Sequence, residues 1–253
     1  MKGNLTIDIG NTSVKVAFFL GTELVATTRF VVGDEQVLDR FISTYKPDSA
    51  VLCSTASVSA TRQIERLAES RCRSVIHLTH ETPMPISLAY RTPETLGRDR
   101  IATAVAAWCL DREQGGGRDV LVVDAGTAIT YDLTLADGSF VGGNIAPGLR
   151  LRFASLHEHT GRLPLVEVDG DTPLMGYDTV TAIRSGVMLG MVNEVKGCVA
   201  ALRLKHPGLR LFITGGDGKW LHSRLDDVNS GYYEHLAAEG LNRIHLYNQA
   251  NEN

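Results

Sequence analysis

Several features that reveal a function at a glance are missing from this sequence. Its four cysteines are scattered along 253 residues, with no CxxC pair and no spacing typical of a zinc site, so we expect reduced, buried thiols. No apolar run is long enough to cross a bilayer, and Asp8 interrupts the first apolar stretch before a signal peptide can form. These absences favour a cytoplasmic protein and predict no membrane partner.

An excess of basic charge is also missing. The chain has 25 lysines and arginines against 29 aspartates and glutamates, which gives a formal net charge of −4. No global positive field therefore suggests nucleic acid as a partner, and any anionic ligand must be met by local donors. The hydrophobic fraction of 43% is typical of a soluble globular protein, and the length favours two compact domains.

Two common phosphate-binding motifs are absent as well. The segment Gly215–Trp220 contains glycines and a lysine, but it lacks the Walker A spacing and the Ser or Thr that should follow the lysine. No GxGxxG sequence follows a predicted strand. We therefore do not expect a P-loop or a Rossmann nucleotide site.

What the sequence does contain is a duplicated Asp-x-Gly turn. The pattern Asp8–Thr12 returns as Asp124–Ala128, 124 − 8 = 116 residues later, and each copy lies between two apolar runs that read as strands. Glycine lets a backbone approach a ligand closely, hydroxyl and amide groups bind phosphate oxygens, and an aspartate can hold a cation. Two such turns facing each other predict a clamp on the phosphate tail of a nucleotide.

The order of elements is also repeated. Gly115–Gly117 is the clearest linker, so we expect domains at 1–117 and 118–253, each with strands first and helices afterwards. This predicts an α/β fold of two duplicated domains with a cleft between them. The predicted strands cover 5–9, 14–20, 23–30, 50–53, 74–78, 120–123, 129–135, 139–145 and 209–214, and the predicted helices 37–45, 59–70, 100–110, 149–157, 178–202 and 237–246.

Five segments, taken in order, resemble the type III pantothenate kinases of the acetate kinase, sugar kinase, Hsp70 and actin superfamily. They are Asp8–Lys15, Leu96–Ala102, Asp124–Ala128, Gly142–Gly148 and Thr214–Gly216, and the resemblance continues to Gly240-Leu241. It implies two ribonuclease H-like domains in the actin-like ATPase fold, an obligate homodimer, and ATP-dependent phosphorylation of pantothenate to 4'-phosphopantothenate, the first step of coenzyme A biosynthesis.

The resemblance also implies roles for individual residues. Asp8 would lie near the magnesium that accompanies ATP, and Asp124 would hold a monovalent cation, potassium or ammonium. Thr179 would reach the active site of the neighbouring subunit. The implied ATP-binding residues are Asp8, Ile9, Gly10, Asn11, Thr12, Ser13, Val14, Lys15, Thr127, Thr214, Gly215 and Gly216, and the implied pantothenate-binding residues are Tyr90, Gly97, Arg98, Asp99, Arg100 and Thr179.

Asp99 would be the catalytic base of this reaction. It stands at the start of a predicted helix, whose dipole favours the ionised carboxylate, and the flanking Arg98 and Arg100 act in the same direction. Arg100 would pair with the carboxylate of pantothenate, for which a guanidinium is geometrically suited. One residue departs from the family pattern Gly-Ala-Asp-Arg, because Arg98 stands where alanine is usual.

Two other functions stay open at this point. The same nucleotide machinery could phosphorylate another small alcohol, or the chain could be a nucleotide-dependent regulator or scaffold that has lost the transfer step; an acidic residue at 99 argues against the latter. Simpler structural roles also exist, because Asp8 and Asp124 suit strand-end turns and Asp99 suits the first turn of any helix. We assign no metal to His157 and His159.

Overall fold

The computed structural model describes residues 3–11, 13–226 and 228–251, with the backbone alone at residue 60. The strands of this part are β1 (Gly3–Ile9), β2 (Ser13–Leu20), β3 (Glu23–Val31), β4 (Ser49–Ser54), β5 (Ser74–His77), β6 (Ser87–Leu88), β7 (Val120–Ala125), β8 (Ala128–Thr134), β9 (Ser139–Pro147), β10 (Arg210–Thr214) and β11 (Ser230–Tyr232). The helices are α1 (Glu35–Tyr45), α2 (Val58–Arg71), α3 (Arg98–Glu113), α4 (Leu149–Glu158), α5 (Thr179–Arg203), α6 (Gly218–His222) and α7 (Leu236–Asn251).

The first sheet has the strand order β3-β2-β1-β4-β5. The first three strands form an antiparallel meander, whereas β4 pairs in parallel with β1 and β5 in parallel with β4. Because β1 is central, nearly all of it is buried, with Leu5, Ile7 and Ile9 on one face and the polar residues Asn4, Thr6 and Asp8 on the other. Leu5, Ile7 and Ile9 pack there against α1 and α2 through Leu38 and Ile64.

The second sheet repeats this order as β9-β8-β7-β10-β11, with β6 added beside β9. β10 pairs in parallel with both β7 and β11, just as β4 does with β1 and β5. The turn between β8 and β9 is closed by the N–H of Gly138, which donates to the carbonyl of Leu135 at 2.9 Å. The predicted α/β fold with an internal duplication is therefore confirmed.

The chain divides into two compact units. The first contains Met1–Gly117, Thr134–Val141 and His235–Asn253, and the second contains Arg118–Leu133 and Gly142–Glu234. One division between the units falls after Gly117, and the C-terminal helix α7 lies in the first unit.

Two kinds of contact explain why α7 lies in the first unit. Its apolar residues Leu241 and Ile244 are buried in one cluster with Ile101 and Val51. Its polar residue Asn242, itself buried, accepts a 2.8 Å hydrogen bond from Asn4 on β1. Such long-range pairing is decided by tertiary contacts and leaves no local signal in the sequence.

The predicted strands and helices are all present, with ends that differ by a few residues. The short elements β6, α6 and β11 were not predicted, because two to five residues carry too little periodicity to be recognised. No helix among the described residues is long and apolar enough to cross a membrane.

Candidate active site

Four side chains of different chemistry form one row across the first sheet. In the strand register, Cys53 on β4 lies opposite Asp8 on β1, Asp8 lies opposite Lys15 on β2, and Lys15 lies opposite Arg29 on β3. Directly opposed residues share a face of the sheet. The row therefore runs from a buried thiol through a carboxylate to two exposed cations.

Asp8 is the centre of this row. Its Oδ2 atom lies 3.4 Å from Lys15 Nζ, and its Oδ1 atom accepts a hydrogen bond from the Cys53 thiol, with an Sγ–Oδ1 distance of 3.5 Å. The Asp8 side chain is 13% exposed and that of Lys15 is 54% exposed, so the ammonium is accessible to a ligand from solvent. The N–H of Gly10 closes the loop by donating to the carbonyl of Ser13 at 3.1 Å.

Cys53 is a thiol rather than a thiolate in this setting. Burial raises its pKa well above the ordinary value, and the carboxylates of Asp8 and Asp99 raise it further. The sequence predicted a buried thiol here and the structure confirms it. Its contact with Asp8 was not predicted, because it arises only when β4 pairs with β1.

Asp99 lies in the first turn of α3, which Gly97 precedes as the N-terminal cap. Its Oδ1 atom accepts a 2.9 Å hydrogen bond from the N–H of Arg100. Burial, and then the nearby Asp8 carboxylate, raise the pKa of Asp99, while the N–H and the guanidinium of Arg100 oppose this. Arg100 thus acts in the direction expected from the sequence, but desolvation and the Asp8 carboxylate outweigh it.

The other residues expected around pantothenate in this unit gather at the same end of α3. Arg100 is only 6% exposed, and its Cζ atom lies 6.0 Å from the centre of the Tyr90 ring, which packs edge-on against Phe140. A Cβ atom on Gly97 would lie 2.6 Å from Asp99 Oδ1, so a larger residue there would displace the carboxylate. Arg98 is half-buried in the same turn.

Backbone groups of neighbouring segments pack closely against the second Asp-x-Gly loop. The N–H of Gly126 donates to the carbonyl of Ala128 at 3.0 Å, which makes a turn one residue tighter than the first. A Cβ atom on Gly148 would overlap the carbonyl oxygen of Gly126, and one on Gly215 would overlap Asp124 Oδ1. Glycine is required at both positions because the chain passes so close.

Thr214, Gly215 and Gly216 follow β10 and lie against this second loop. Thr214 is opposite Asp124 in the parallel register, and the N–H of Asp217 donates to the carbonyl of Ala125 at 2.8 Å. Gly215 has φ +94°, a left-handed conformation that favours glycine. The structure therefore brings together the residues expected to contact the cation and ATP in the second unit, with Thr127 in the turn itself.

Two expected site residues need separate mention. Thr179 lies exposed at the start of α5, where Asp178 caps the helix by accepting from the N–H of Thr181 at 2.7 Å. Its expected partner is another subunit. Thr12 lies outside the described residues.

The protein oxygen atoms at these two loops could coordinate magnesium or a monovalent cation only together with further oxygen atoms from a bound ligand or water. Among the described residues, no group of three or more His, Cys, Asp or Glu side chains could hold a metal ion. Magnesium is commonly bound through one or two carboxylates together with substrate phosphates and water, so the single carboxylate of Asp8 fits magnesium brought in with ATP. Asp124 likewise offers one carboxylate beside backbone oxygens.

A family model described as type III pantothenate kinase matches residues 4–201 of this chain. The type III pantothenate kinase of Phocaeicola vulgatus is 42% identical over 247 residues, with 97% of this chain and 98% of the relative covered. That of Porphyromonas gingivalis strain W83 is 36% identical over 253 residues, with 98% of this chain and 100% of the relative covered.

Solved structures share the fold at lower identity. A protein described as a conserved Baf family transcriptional activator from Campylobacter jejuni has a TM-score of 0.63 and 22% identity, covering 97% of this chain and 99% of its own. A glucokinase from an Antarctic psychrotroph has a TM-score of 0.54 and 12% identity, covering 97% of this chain and 99% of its own. The fold is that of the actin-like ATPases, as expected.

Proposed function

Since the chain belongs to the type III pantothenate kinase family, we propose that Asp99 is the catalytic residue of the phosphoryl transfer from ATP to pantothenate. The protein is an ATP-dependent pantothenate kinase and forms 4'-phosphopantothenate in coenzyme A biosynthesis. The observation that carries the assignment of Asp99 is its place: a shielded carboxylate in the first turn of α3, close enough to Asp8 for the two charges to interact.

The proposed reaction needs a group that accepts the alcohol proton and a site that fixes ATP, the phosphoryl donor, in position. The hydroxyl oxygen of pantothenate attacks the γ-phosphorus, the bond from that phosphorus to the β–γ bridging oxygen breaks, and the alcohol proton passes to Asp99. ADP leaves with the bonding electrons. The same burial that raises the pKa of Asp99 makes its carboxylate a better proton acceptor than an exposed one.

The first loop is proposed to hold the phosphate tail of ATP. Asp8–Lys15 supplies backbone N–H groups, hydroxyls and one ammonium, all of which suit phosphate oxygens. Asp8 would hold the magnesium that accompanies ATP. When bound, this ion neutralises charge on the phosphate oxygens.

The second loop is proposed to contact ATP in a different way. Asp124 would hold a monovalent cation, and Thr127, Thr214, Gly215 and Gly216 would contact the nucleotide. The support is the position of these residues: Thr214 lies opposite Asp124 in the strand register, and Gly215 packs against Ala125 and Asp124.

Pantothenate is proposed to lie at the N-terminal end of α3. Arg100 would pair with its carboxylate, because a buried guanidinium is stabilised by an anionic partner. Tyr90, Gly97 and Arg98 would complete the contacts. Together with Asp99 they would set the acceptor hydroxyl in line with the phosphoryl group.

A homodimer is proposed to form through α5, so that Thr179 completes the site of the neighbouring subunit. Gly186 and Gly190 are exposed, and beyond the neighbouring backbone of α5 itself no described residue lies within 4 Å of a Cβ atom built on either. Just before the helix, Leu174 and Met175 are 85% and 82% exposed. An open glycine face next to exposed apolar side chains suits a second copy of the chain.

The proposal is tested with purified protein, MgATP and pantothenate, with and without potassium or ammonium. Formation of phosphopantothenate that increases with the cation supports the assignments above. Turnover of another alcohol in place of pantothenate would contradict the acceptor. Equal turnover without any monovalent cation would remove the role given to Asp124.

A further inference from the structure

Arg29 has no role in the functional residues described so far. It lies on β3, the edge strand of the first sheet, directly opposite Lys15 on β2. Two like charges in directly opposed positions on one face of a sheet destabilise it. Asp8 offsets one of them through its 3.4 Å contact with Lys15, which leaves the positive charge of Arg29 without a carboxylate in the row.

The Arg29 side chain is also directed toward the first loop. Its Nε–H donates to Ser13 Oγ at 3.0 Å. Ser13 is opposite Val31 in the register, two positions nearer than Lys15 to the first loop. The guanidinium therefore leans along the sheet toward the loop Gly10–Ser13 and not toward the far end of the hairpin.

A single hydrogen bond from Nε leaves most of a guanidinium free. Its two terminal nitrogens carry four further N–H donors, arranged in the planar fork that binds phosphate oxygens in pairs. The side chain is exposed, so these donors can reach a ligand.

We propose that Arg29 is a further ATP-binding residue of this chain, with its guanidinium on the phosphate groups that the first loop holds. This inference rests on the proposed role of the first loop. A bound polyanion turns the unfavourable opposition of Lys15 and Arg29 into a favourable one, since both cations then face negative charge. Ser13 orients the guanidinium for this contact.

A structural explanation for Arg29 predicts a different result. A charged residue on an edge strand can serve to prevent edge-to-edge pairing, and the Ser13 contact could simply stiffen the hairpin. In either case lysine would substitute well for arginine, and ATP binding would not depend on the residue.

The test measures MgATP binding by titration calorimetry for the unsubstituted protein, Arg29→Met and Arg29→Lys. The matched control is Arg73→Met, which removes another exposed arginine of the first unit, one that pairs with Asp48. We expect Arg29→Met to weaken MgATP binding by about tenfold or more, the range of a charge-assisted hydrogen bond. Arg29→Lys should fall between, and Arg73→Met should bind within about twofold of the unsubstituted protein.

Steady-state kinetics give a second readout. The KM for ATP should rise in Arg29→Met while the KM for pantothenate stays within about twofold, and added salt should weaken ATP binding less in the variant than in the unsubstituted protein. Circular dichroism checks that each variant is folded. If Arg29→Met is not folded, Arg29→Lys alone decides.

The outcomes separate this inference from the proposed function. MgATP affinity in Arg29→Met equal to that of the unsubstituted protein, or full affinity in Arg29→Lys, would overturn the inference. Binding that depends on Arg29, in a protein that forms no phosphopantothenate, would support the inference and contradict the function. A protein that binds no MgATP at all would overturn both.

Discussion

The two Asp-x-Gly loops share a sequence pattern but have very different surroundings. Around Asp8 lie side chains that can carry charge or donate a proton: Lys15, Cys53 and Asp99. At the Asp124 loop the glycines Gly148 and Gly215 bring other segments of backbone into very close contact. The first loop is thus characterised by charged and proton-donating side chains, and the second by close packing of backbone segments. The β3-β2-β1-β4-β5 order of the first sheet is nevertheless repeated in the second. Two copies of a duplicated fold can therefore keep the same strand topology while the surroundings of their equivalent loops differ.

Removing the carboxylate of Asp99 should have the largest effect. We expect Asp99→Asn to lower kcat by about 10²- to 10⁴-fold, because the alcohol proton loses its acceptor. ATP affinity measured by calorimetry should change little. The control is Asp39→Asn, which removes an exposed aspartate paired with Arg71 in the same unit and should leave kcat unaltered.

The same substitution should also stabilise the protein at neutral pH. The pKa of Asp99 is raised in the folded state, so its stabilising contribution is present at low pH and is lost as the pH rises through that pKa. Asp99→Asn should therefore increase the unfolding free energy at pH 7 by about 1 kcal/mol, measured by urea denaturation. In the unsubstituted enzyme, kcat/KM should fall on acidification through a pKa above the usual aspartate value. A lower stability together with near-normal turnover would remove Asp99 as the base.

The second loop should be most sensitive to added bulk. Gly215→Ala places a Cβ atom on Asp124 Oδ1 and requires a left-handed conformation, so we expect a loss of about 2–4 kcal/mol in unfolding free energy and weaker ATP binding. For stability alone, Gly216→Ala is the matched control, since no described residue beyond its two chain neighbours lies within 4 Å of its Cβ position. Equal stability of the two variants would contradict the close packing described here.

Charge removal in the second loop should have a more selective effect. We expect Asp124→Ala to reduce the stimulation by potassium or ammonium and to raise the KM for ATP by about tenfold, because the cation loses a carboxylate. The exposed Asp169→Ala in the same unit serves as control. An undiminished cation response in Asp124→Ala would show that another group holds the ion.

The smallest expected effect concerns the thiol beside the first loop. Cys53→Ala removes the donor to Asp8 Oδ1, whereas Cys53→Ser keeps one. A thiol is a weak donor, so we expect the KM for ATP to rise by about two- to fivefold in Cys53→Ala and to change less in Cys53→Ser. If the alanine variant matches the unsubstituted enzyme in KM while losing stability, Cys53 only fills space.

Much of this could be predicted from local sequence. Long amphipathic or apolar segments marked nearly all the strands and helices, and the repeated Asp-x-Gly turn marked both loops. The proposal that Asp99 is a site residue came from the ordered motifs around it, not from periodicity. The direction of its pKa shift could not be predicted, because the helix and the arginines are visible in sequence whereas burial and the approach of Asp8 are not.

The sequence by itself determined the fold class, the duplication, the family and the segments that form the site, because these depend on patterns within short stretches and on their order. The tertiary structure decided which residues meet. Strand pairing placed Cys53, Asp8, Lys15 and Arg29 in one row, and packing on α3 and β1 placed α7 in the first unit. The separation along the chain ranges from 7 positions for Asp8 and Lys15 to 238 for Asn4 and Asn242, and the closed sheets and cores bring these partners within contact distance.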